Sequence, residues 1–439
     1  MVQGKAIAIF WFRRDLRLED NIGLFHALNS GFAVLPIFIF DTTILGKLEN
    51  KYDRRIDYIC QSLNEINRLL RIEGSSICSF YGKPLDIFKM LYDIYDVKEV
   101  YCYCDYEPYA IQRDLEILEF SKNRSIRFNA YKDQVIFDKN DVVKSDGTPY
   151  TVYTAYANKW KTNLVPELYK SVKLNLGCII QRSYEEIHSL QEIGFEKTDV
   201  IFTKPLLDQR VINNYDKKRD LLSENGTTKL SMALRFGTIS IRKCVAFAVQ
   251  YNQTWLSELI WREFFMQILY HFPYVVERCF KGKYNFIRWR NNEQEFKLWC
   301  EGQTGIPLVD AGMRQLNQTG FMHNRARMVV ASFLVKNLLI DWRWGEAYFA
   351  EKLNDYDLSA NNGNWQWVAG CGCDAAPYFR IFNPISQAVK FDKNSKYIRQ
   401  WVPEIDTGKY PEPMVNLKDS RNKALIEYKA ALTNPNPYY

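Results

Sequence analysis

The stretch from Trp342 to Pro384 reads WRWGEAYFAEKLNDYDLSANNGNWQWVAGCGCDAAPYFRIFNP. It brings four tryptophans close together in the chain: Trp342, Trp344, Trp365 and Trp367. Polar side chains are interleaved with them: Asp355, Asp357, Asn361, Asn362 and Arg380. Because a buried indole still needs a partner for its N–H, this mixture predicts a large aromatic ligand held by polar groups. Redox chemistry is one use for such a site.

The composition is that of a globular protein with more than one domain. At 439 residues the chain exceeds the size of one ordinary core, so we expect two domains. Its hydrophobic content of 47% and charged content of 25% match a soluble globular protein. The formal charge of +7 permits an anionic partner such as nucleic acid without requiring one.

The cysteines indicate a reducing compartment. None of the ten forms a CxxC pair, and the start MVQGKAIAIFWFRRDLRLED is typical of a buried strand rather than a secretory leader. We therefore expect free thiols and a cytoplasmic location. Cys371 and Cys373 could ligate a metal, but the four scattered histidines suggest no tetrahedral set, so no metal is expected. No stretch approaches the length of a transmembrane helix, and we expect no membrane contact.

The first 130 residues alternate short apolar strands with helices. The strand-like runs are AIAIFWF (6–12), AVLPIFIF (33–40), SICSFYG (76–82) and EVYCYC (99–104), and helical spacing marks 54–71 and 84–95. This alternation predicts an α/β domain over 1–130 with right-handed βαβ units and a parallel, Rossmann-like sheet. No GxGxxG motif is present, so a dinucleotide on this sheet is not indicated.

After residue 130 the pattern changes twice. From 131 to 200 it loosens, which predicts an interdomain connector that has some helix and wraps the surface of the second domain. From 201 to 439 helices dominate. The run 257–273 is apolar around most of its circumference and stops at Pro273, 307–320 ends at Gly320, and 324–342 is apolar after a basic first turn. We therefore predict an all-α domain over 201–439.

Hydroxyl side chains gather at one predicted helix start. Thr227, Thr228 and Ser231 lie just before it and at its first position, where hydroxyls and free amides can form a phosphate cradle. Ordinary helix capping is the alternative, and it is favoured on this pattern alone. Tyr215 and Arg219 precede the loop and could pack with it.

A second cluster places cations at the start of a buried helix. Asn324, Arg325 and Arg327 open the run 324–342, where positive charge opposes the helix dipole and an anion is expected. Asp355, Asp357 or phosphate groups could supply that anion. A surface ion pair is the alternative, and the flanking apolar run disfavours it.

A third cluster lies on the helix predicted over 257–270. Glu258, Trp261, Arg262 and Phe265 share one face through their i, i+3, i+4, i+7 spacing. A carboxylate beside an indole and a guanidinium could hold a flat, hydrogen-bonding ligand. An intrahelical Glu258–Arg262 pair is an equally favoured alternative.

Several longer segments together resemble one protein family. They are WFRRDLRLEDN (11–21), ELIWREFF (258–265), GIPLVDAGMRQLNQTGFMHNRARM (305–328), ASFLVKNLLIDW (331–342), and DLSANNGNWQW with DAAPYFRIFNP (357–384). The chain resembles the photolyase/cryptochrome family, and within it the class I cyclobutane pyrimidine dimer (CPD) photolyases, from about residue 6 to 405. The resemblance implies an N-terminal α/β domain and a C-terminal helical domain that holds FAD in a bent form.

The resemblance also assigns the FAD contacts. The residues expected at the FAD phosphates are Tyr215, Thr227, Thr228, Lys229, Leu230 and Ser231. Those expected around the isoalloxazine and ribityl portion are Asn324, Arg327, Asp355 and Asp357. Asn361 is expected beside flavin N5, where its amide can accept from the N5–H of the reduced flavin. Plant cryptochromes usually have Asp at this place, so Asn361 favours repair over signalling.

For the reaction, the resemblance implies that excited, reduced FAD donates an electron to a pyrimidine dimer, whose two linking bonds split before the electron returns. Glu258 should hydrogen-bond the lesion, and Trp261 and Trp367 should stack on the flipped dimer. Asn324 and Met328 should line the same cavity. The arginines expected at DNA phosphates are Arg219, Arg325 and Arg380.

Three tryptophans match the family's chain of indoles from the flavin to the surface. They are Trp365, Trp342 and Trp289, and such a chain would restore reduced FAD after oxidation. Three independent core tryptophans are the alternative, which is reasonable for Trp289 alone and weak for the set.

The sequence does not determine which antenna chromophore is bound or which photochemical function the protein has. Folate-binding relatives tend to have Asn-Glu where Tyr109 and Ala110 stand, so a second chromophore could be a folate, a deazaflavin or a flavin, or be absent. The function could also be that of a cryptochrome-type blue-light signalling flavoprotein or a (6–4) photolyase, although His323 lies out of register with the histidine pair that the latter needs. We rank repair of CPD lesions in ultraviolet-damaged DNA first, by a protein expected to be a monomer.

Overall fold

The computed structural model describes residues 6–433, and these residues form two compact units. The first unit contains the residues up to Asp141 together with 163–207 and 229–250. The second contains 142–162, 208–228 and the residues from Tyr251 onward. The units are interleaved along the chain, so they do not correspond one to one with the predicted segments 1–130, 131–200 and 201–439.

The first unit is built on a parallel sheet. Its strands are β1 (Ala6–Phe12), β2 (Ala33–Asp41), β3 (Cys78–Gly82), β4 (Asp96–Tyr103) and β5 (Arg127–Tyr131), in the order β3-β2-β1-β4-β5. Every neighbouring pair is parallel. Alternate side chains of β1 enter opposite cores, with Ile7 and Ile9 on one face of the sheet and Ala8 and Phe10 on the other. Burial of both faces explains the continuous apolar strands, and the predicted fold class is confirmed.

The helices of the described residues, in chain order, are α1 (Ile22–Leu28), α2 (Thr42–Leu45), α3 (Arg54–Ile72), α4 (Pro84–Ile94), α5 (Pro108–Asn123), α6 (Tyr153–Asn163), α7 (Gln209–Asn213), α8 (Tyr215–Lys218), α9 (Ser231–Phe236), α10 (Ile241–Tyr251), α11 (Gln253–His271), α12 (Glu293–Glu301), α13 (Pro307–Thr319), α14 (Asn324–Ser332), α15 (Trp342–Lys352), α16 (Leu358–Ala369), α17 (Pro384–Phe391), α18 (Lys396–Trp401) and α19 (Leu417–Thr433). Short 3₁₀ turns occupy Pro166–Tyr169, Leu176–Cys178, Pro273–Val276, Gly282–Phe286, Lys393–Ser395 and Pro403–Asp406. None of these helices is both long enough and apolar enough to cross a lipid bilayer.

The loosely patterned segment after residue 130 packs differently from our expectation. We predicted that it wraps the second domain, but residues 163–207 belong to the first unit. Ile179, Ile187 and Phe195 are buried in the core on one face of the sheet, and Ile179 forms a parallel bridge with Val34 of β2. These apolar residues are widely and irregularly spaced, so they form no helical or strand pattern. The sequence therefore did not show that they pack on the sheet.

The apolar run 324–342 is not one helix. It forms α14, then a π-helical turn over Phe333–Asn337, and then a residue in the left-handed region, Leu339 at φ +52°. The turn lets two buried polar side chains reach partners, because Lys336 donates to the carbonyl of Ala369 at 2.9 Å and Asn337 donates to the Ser420 hydroxyl at 2.8 Å. The chain is thereby redirected, and Trp342 starts the new helix α15.

Candidate active site of the helical unit

Helix α11 presents an acid and an indole on one partly exposed face. The helix ends before Pro273 as predicted, but it begins at Gln253, four residues before the predicted start, where Asn252 caps it. Glu258 pairs with Arg219 at 2.5 Å rather than with Arg262, so the intrahelical alternative is wrong. Burial raises the pKa of the Glu258 carboxyl, and the Arg219 charge opposes that shift. The two side chains form a charged pair that is neither fully buried nor fully hydrated.

The indole of Trp261 already has a stacking partner. Tyr153 of α6 lies parallel to it, with ring centroids 3.6 Å apart and an interplanar angle of 6°. The Tyr153 hydroxyl donates to the carbonyl of Ser257 at 2.8 Å, which holds the ring against α11. The sequence analysis missed Tyr153. Its i, i+3 spacing with Tyr156, which packs on Phe264 of the same helix, was the available signal. We call Glu258, Arg219, Trp261 and Tyr153 the substrate face.

The basic start of α14 is neutralised by aspartates. Arg327 donates to both carboxylate oxygens of Asp355, at 2.9 and 3.2 Å, as one of our alternatives predicted. Arg325 donates to Asp220 at 2.7 Å, a partner that the sequence did not suggest. Asn324, which precedes both arginines, is exposed, and its amide lies 3.9 Å from the sulfur of Met328.

Asn361 is buried and held in one orientation. Its Nδ2 donates at 3.0 Å to both the backbone carbonyl and the carboxyl Oε1 of Glu346 in α15. Burial raises the pKa of Glu346, and the bond from Asn361 opposes the rise. The Asn361 carbonyl oxygen accepts no hydrogen bond from any residue in the described part of the chain, so it is available to a ligand. Glu346 is a second residue that the sequence analysis missed.

Asp357 serves as the N-cap of α16, because its carboxylate accepts from the Ala360 amide at 3.2 Å. It thereby sets the start of the helix that carries Asn361, Trp365 and Trp367. Trp365 lies one turn after Asn361 and is buried, whereas Trp367 is half-buried. Arg380, beyond this helix, is exposed.

Two of the predicted relay tryptophans are buried in the same apolar core. Trp365 and Trp342 are 2% and 0% exposed and belong to one apolar core. A Cβ added at Gly345, one turn after Trp342 on α15, would meet the Trp365 ring at 2.1 Å, so Trp365 packs directly on that helix face. Trp299, which we did not predict, also contacts Trp365, with ring centroids 6.2 Å apart. We call Trp365, Trp342 and Trp299 the tryptophan interior.

Trp289, the third predicted relay residue, is half-buried at the edge of this interior. Its ring meets that of Tyr428 of α19 edge to face, at 6.0 Å between centroids. Tyr428 is itself fully buried. The position of Trp289 near the surface is compatible with the outer end of a relay.

The residues expected at phosphates lie at or before the start of α9. Leu230 precedes that helix and supplies no side-chain cap, and Lys229 adopts a left-handed conformation at φ +52°. The hydroxyls of Thr227, Thr228 and Ser231 make no hydrogen bond with other described residues. Thr227 and Thr228 belong to the second unit, as do Tyr215 and Arg219, and the chain enters the first unit at Lys229. The Arg219 guanidinium lies over the Tyr215 ring at 5.5 Å.

Two family models match separate parts of the chain, and a curated relative matches nearly all of it. Residues 8–172 match the family described as DNA photolyase, and residues 255–409 match the family described as the FAD binding domain of DNA photolyase. The deoxyribodipyrimidine photo-lyase of Synechococcus sp. is 36% identical, and the alignment covers 98% of each chain.

Solved structures give the same result. A bacterial class III photolyase from Agrobacterium tumefaciens is 30% identical with a TM-score of 0.86, over 99% of both chains. The photolyase from Sulfolobus tokodaii, whose structure contains two FAD molecules, is 34% identical with a TM-score of 0.78, over 96% of this chain and 99% of that one. The chain therefore belongs to the DNA photolyase family, and residues 255–409 form its FAD-binding domain.

Proposed function

We propose that this chain is a light-driven photolyase that repairs CPD lesions in ultraviolet-damaged DNA, with reduced FAD as the electron donor. The observation that carries the proposal is the substrate face, where Glu258 and Trp261 stand side by side on α11 in a partly exposed position. A flipped dimer needs an aromatic surface to replace its lost base stacking and a polar group to meet its carbonyls. Relatives named deoxyribodipyrimidine photo-lyase support the same activity.

The side chains of the helical unit fit FAD. The free carbonyl oxygen of Asn361 can accept from a flavin N–H. Because Glu346 accepts two hydrogen bonds from the amide nitrogen of Asn361, the side-chain amide is held in one orientation. Arg327 and Asp355 together offer both donors and acceptors to the polar part of the cofactor. The unengaged hydroxyls of Thr227 and Thr228, in the same unit, suit phosphate oxygens. We propose that these residues hold the cofactor, and that Tyr215, Lys229, Leu230, Ser231, Asn324 and Asp357 do so as well, as the motif resemblance implies.

Bound FAD supplies the photochemical electron, and the protein supplies position, charge and exclusion of water. We propose that Glu258, in its protonated form, donates a hydrogen bond to a carbonyl of the dimer and so steadies the negative charge that the dimer gains; burial, which raises the pKa of this carboxyl, favours that form. To do so, Glu258 must exchange its bond with Arg219 for one to the substrate, and the released guanidinium can then meet a DNA phosphate. Trp261 and Trp367 would stack on the dimer, while Asn324 and Met328 line its cavity.

DNA phosphates would be met by Arg219, Arg325 and Arg380. Arg380 is exposed and needs no rearrangement, whereas Arg325 is paired with Asp220 and would have to leave it to reach a phosphate. Binding should therefore weaken steeply with salt, because each phosphate contact releases counterions.

For the antenna we propose a flavin among our alternatives. The Sulfolobus tokodaii photolyase with two FAD molecules supports this choice. In addition, Tyr109 stands where folate-binding relatives tend to have one of their folate contacts. Its hydroxyl donates to the Asp41 carboxylate at 2.7 Å, so both side chains are already engaged with each other.

We further propose that the protein acts as a monomer and in the cytoplasm. The free state of all ten cysteines supports a reducing compartment.

The decisive experiment is a repair assay with reduced, FAD-loaded protein. Ultraviolet-irradiated DNA containing both CPD and (6–4) lesions is incubated in blue light and in darkness. We expect light-dependent loss of CPD lesions only. Unchanged CPD content in light would overturn the proposal, and an absorption spectrum of the same sample shows whether FAD and a second chromophore are bound.

A further inference from the structure

The contact between Tyr153 and Trp261 on the substrate face is unusually close for two aromatic side chains. Their ring centroids are 3.6 Å apart and their planes differ by 6°, so the rings overlap almost fully at the best separation for carbon atoms in contact. Aromatic pairs in proteins more often meet edge to face or offset, with centroids roughly 4.5 to 7 Å apart. The close overlap indicates that other contacts hold the two rings in place.

Helix α6, which begins at Tyr153, is fixed on α11 by buried side chains. The rings of Tyr156 and Phe264 pack with their centroids 5.3 Å apart. One turn later, the Trp160 indole donates to the Glu263 carboxylate at 2.6 Å. Tyr156 and Trp160 are both buried. The position of Tyr153 over α11 is therefore set by the part of α6 that follows it.

Hydrogen bonds anchor Tyr153 to two further segments. Its hydroxyl donates to the carbonyl of Ser257 on α11 at 2.8 Å, and its backbone amide donates to the Asp374 carboxylate at 3.0 Å. Two residues earlier, the carbonyl of Thr151 accepts from the Cys373 thiol at 2.8 Å. The start of α6 is thereby joined both to α11 and to the turn that follows α16.

Helices α11 and α16 also pack directly on each other. A Cβ added at Gly363 of α16 would lie 2.1 Å from the Phe265 ring of α11. Phe265 lies one turn after Trp261, and Gly363 lies one turn before Trp367. Trp367 comes between Gly363 and the turn at Asp374 that binds the start of α6. The two indoles proposed to hold the dimer therefore belong to one connected set of contacts.

Tyr153 leaves one face of the Trp261 indole to a ligand. An indole has two flat faces, so a dimer that stacks on Trp261 takes the face opposite Tyr153. Ordering a side chain when a ligand binds costs affinity, and holding it in the bound orientation beforehand avoids that cost. The anchored ring of Tyr153 can hold the indole in this way.

We propose that Tyr153 is a positioning residue of the repair reaction, an inference that rests on the proposed function. It acts through Trp261 and does not touch the dimer. It keeps the indole in one orientation, so that the flipped dimer meets an ordered aromatic surface. Undamaged DNA keeps its bases stacked and does not use this surface. Tyr153 therefore increases the preference for damaged over undamaged DNA.

The test measures this preference as the ratio of two Kd values, one for an undamaged duplex and one for the same duplex with a single CPD lesion. FAD-loaded wild type, Tyr153→Leu and Tyr153→Phe are titrated in the dark. Tyr153→Leu should lower the ratio about fivefold, because the indole must then be ordered on binding. Tyr153→Phe keeps the stacked ring, so its ratio should stay within about twofold of the wild type.

Tyr274→Leu is the matched control. Tyr274 is also a partly exposed tyrosine stacked on another ring, that of Phe280, and its hydroxyl also donates to a backbone carbonyl. It has no contact with Trp261 among the described ring pairs, so its loss should leave the ratio unchanged. The FAD absorption of each variant checks that it is folded. Tyr153→Met replaces Tyr153→Leu if the latter does not bind FAD.

A double-mutant cycle decides whether Tyr153 acts through the indole. In a Trp261→Leu background, Tyr153→Leu should cause no further fall in the ratio. The inference is overturned if Tyr153→Leu keeps the wild-type ratio, if it lowers the ratio equally in both backgrounds, or if Tyr153→Phe loses as much as Tyr153→Leu. A wild type that neither prefers CPD-containing DNA nor repairs it in light would instead contradict the proposed function itself.

Discussion

The substrate face and the tryptophan interior are both rich in tryptophan and lie in the same helical unit, yet they are stabilised in opposite ways. On the substrate face the groups are half-exposed and joined to partners from other segments, Glu258 to Arg219 and Trp261 to Tyr153. In the interior, Trp365 and Trp342 are enclosed by apolar side chains and by the helix backbone at Gly345. We therefore expect the charged residues of the substrate face, and not the residues of the interior, to exchange partners when a ligand binds.

The difference suits the roles that we propose for the two regions. A polar side chain that binds a flipped base must release one partner and accept another, so its bonds in the free protein must be replaceable at modest cost. An exposed or half-exposed ion pair satisfies that condition because it contributes little net stability. Side chains that pass electrons need fixed spacing and no water to reorganise. Close packing in a core provides both.

The largest effect is expected inside the interior. Trp365→Phe should abolish light-driven reduction of oxidised FAD and leave repair by chemically reduced protein intact, because phenylalanine is much harder to oxidise than indole. Absorption during blue-light exposure measures the first quantity, and the repair assay measures the second. Trp344→Phe is the control, since Trp344 is half-buried and packs on Phe296 outside the predicted relay. Equal loss in both assays would show that Trp365 is structural.

The next effect concerns His323, which caps α14 beneath the cationic cluster. Its Nδ1 accepts from the Arg325 amide at 3.1 Å, and burial, with Arg327 and Arg325 nearby, lowers its pKa from 6.5 to about 4. Between these pH values the unfolded chain binds a proton that the native one does not, so stability falls as pH falls. The loss should approach about 3 kcal/mol at pH 4.

His323→Asn keeps a capping side chain without the titration. Chemical denaturation at several pH values, with FAD saturating, should show a weaker pH dependence for the variant between 6.5 and 4. Identical slopes for the two proteins would mean that the pKa of His323 is the same in the folded and unfolded states, so that its environment does not disfavour the protonated form.

The smallest effect is expected on the substrate face. Glu258→Ala should lower the repair yield about tenfold, equivalent to about 1.4 kcal/mol of lost charge stabilisation. Affinity for damaged DNA should hold or rise, because Arg219 is released from its carboxylate. Binding titrations and repair yields on the same DNA measure the two quantities. A parallel fall in both would show that the Glu258–Arg219 pair is a structural bond rather than an exchangeable one.

Much of this molecule could be predicted from local patterns. The alternation of apolar strands with helices predicted the parallel sheet, and the helix ending at Gly320 was predicted from the left-handed cap that glycine tolerates. The motif resemblance indicated the DNA photolyase family, which the comparisons confirm. Its assignment to class I and the roles of the individual site residues stay predictions.

What the sequence alone determined was the set of elements and the kinds of group that could bind a flavin, because period, capping and composition are local properties. Only the tertiary structure decided which groups meet. It paired Glu258 with Arg219, Trp261 with Tyr153 and Asn361 with Glu346. It also broke the run 324–342, so that Trp342 begins a new helix that packs on Trp365. Such contacts join residues far apart in the chain, and their energies depend on packing and burial that no short window of sequence contains.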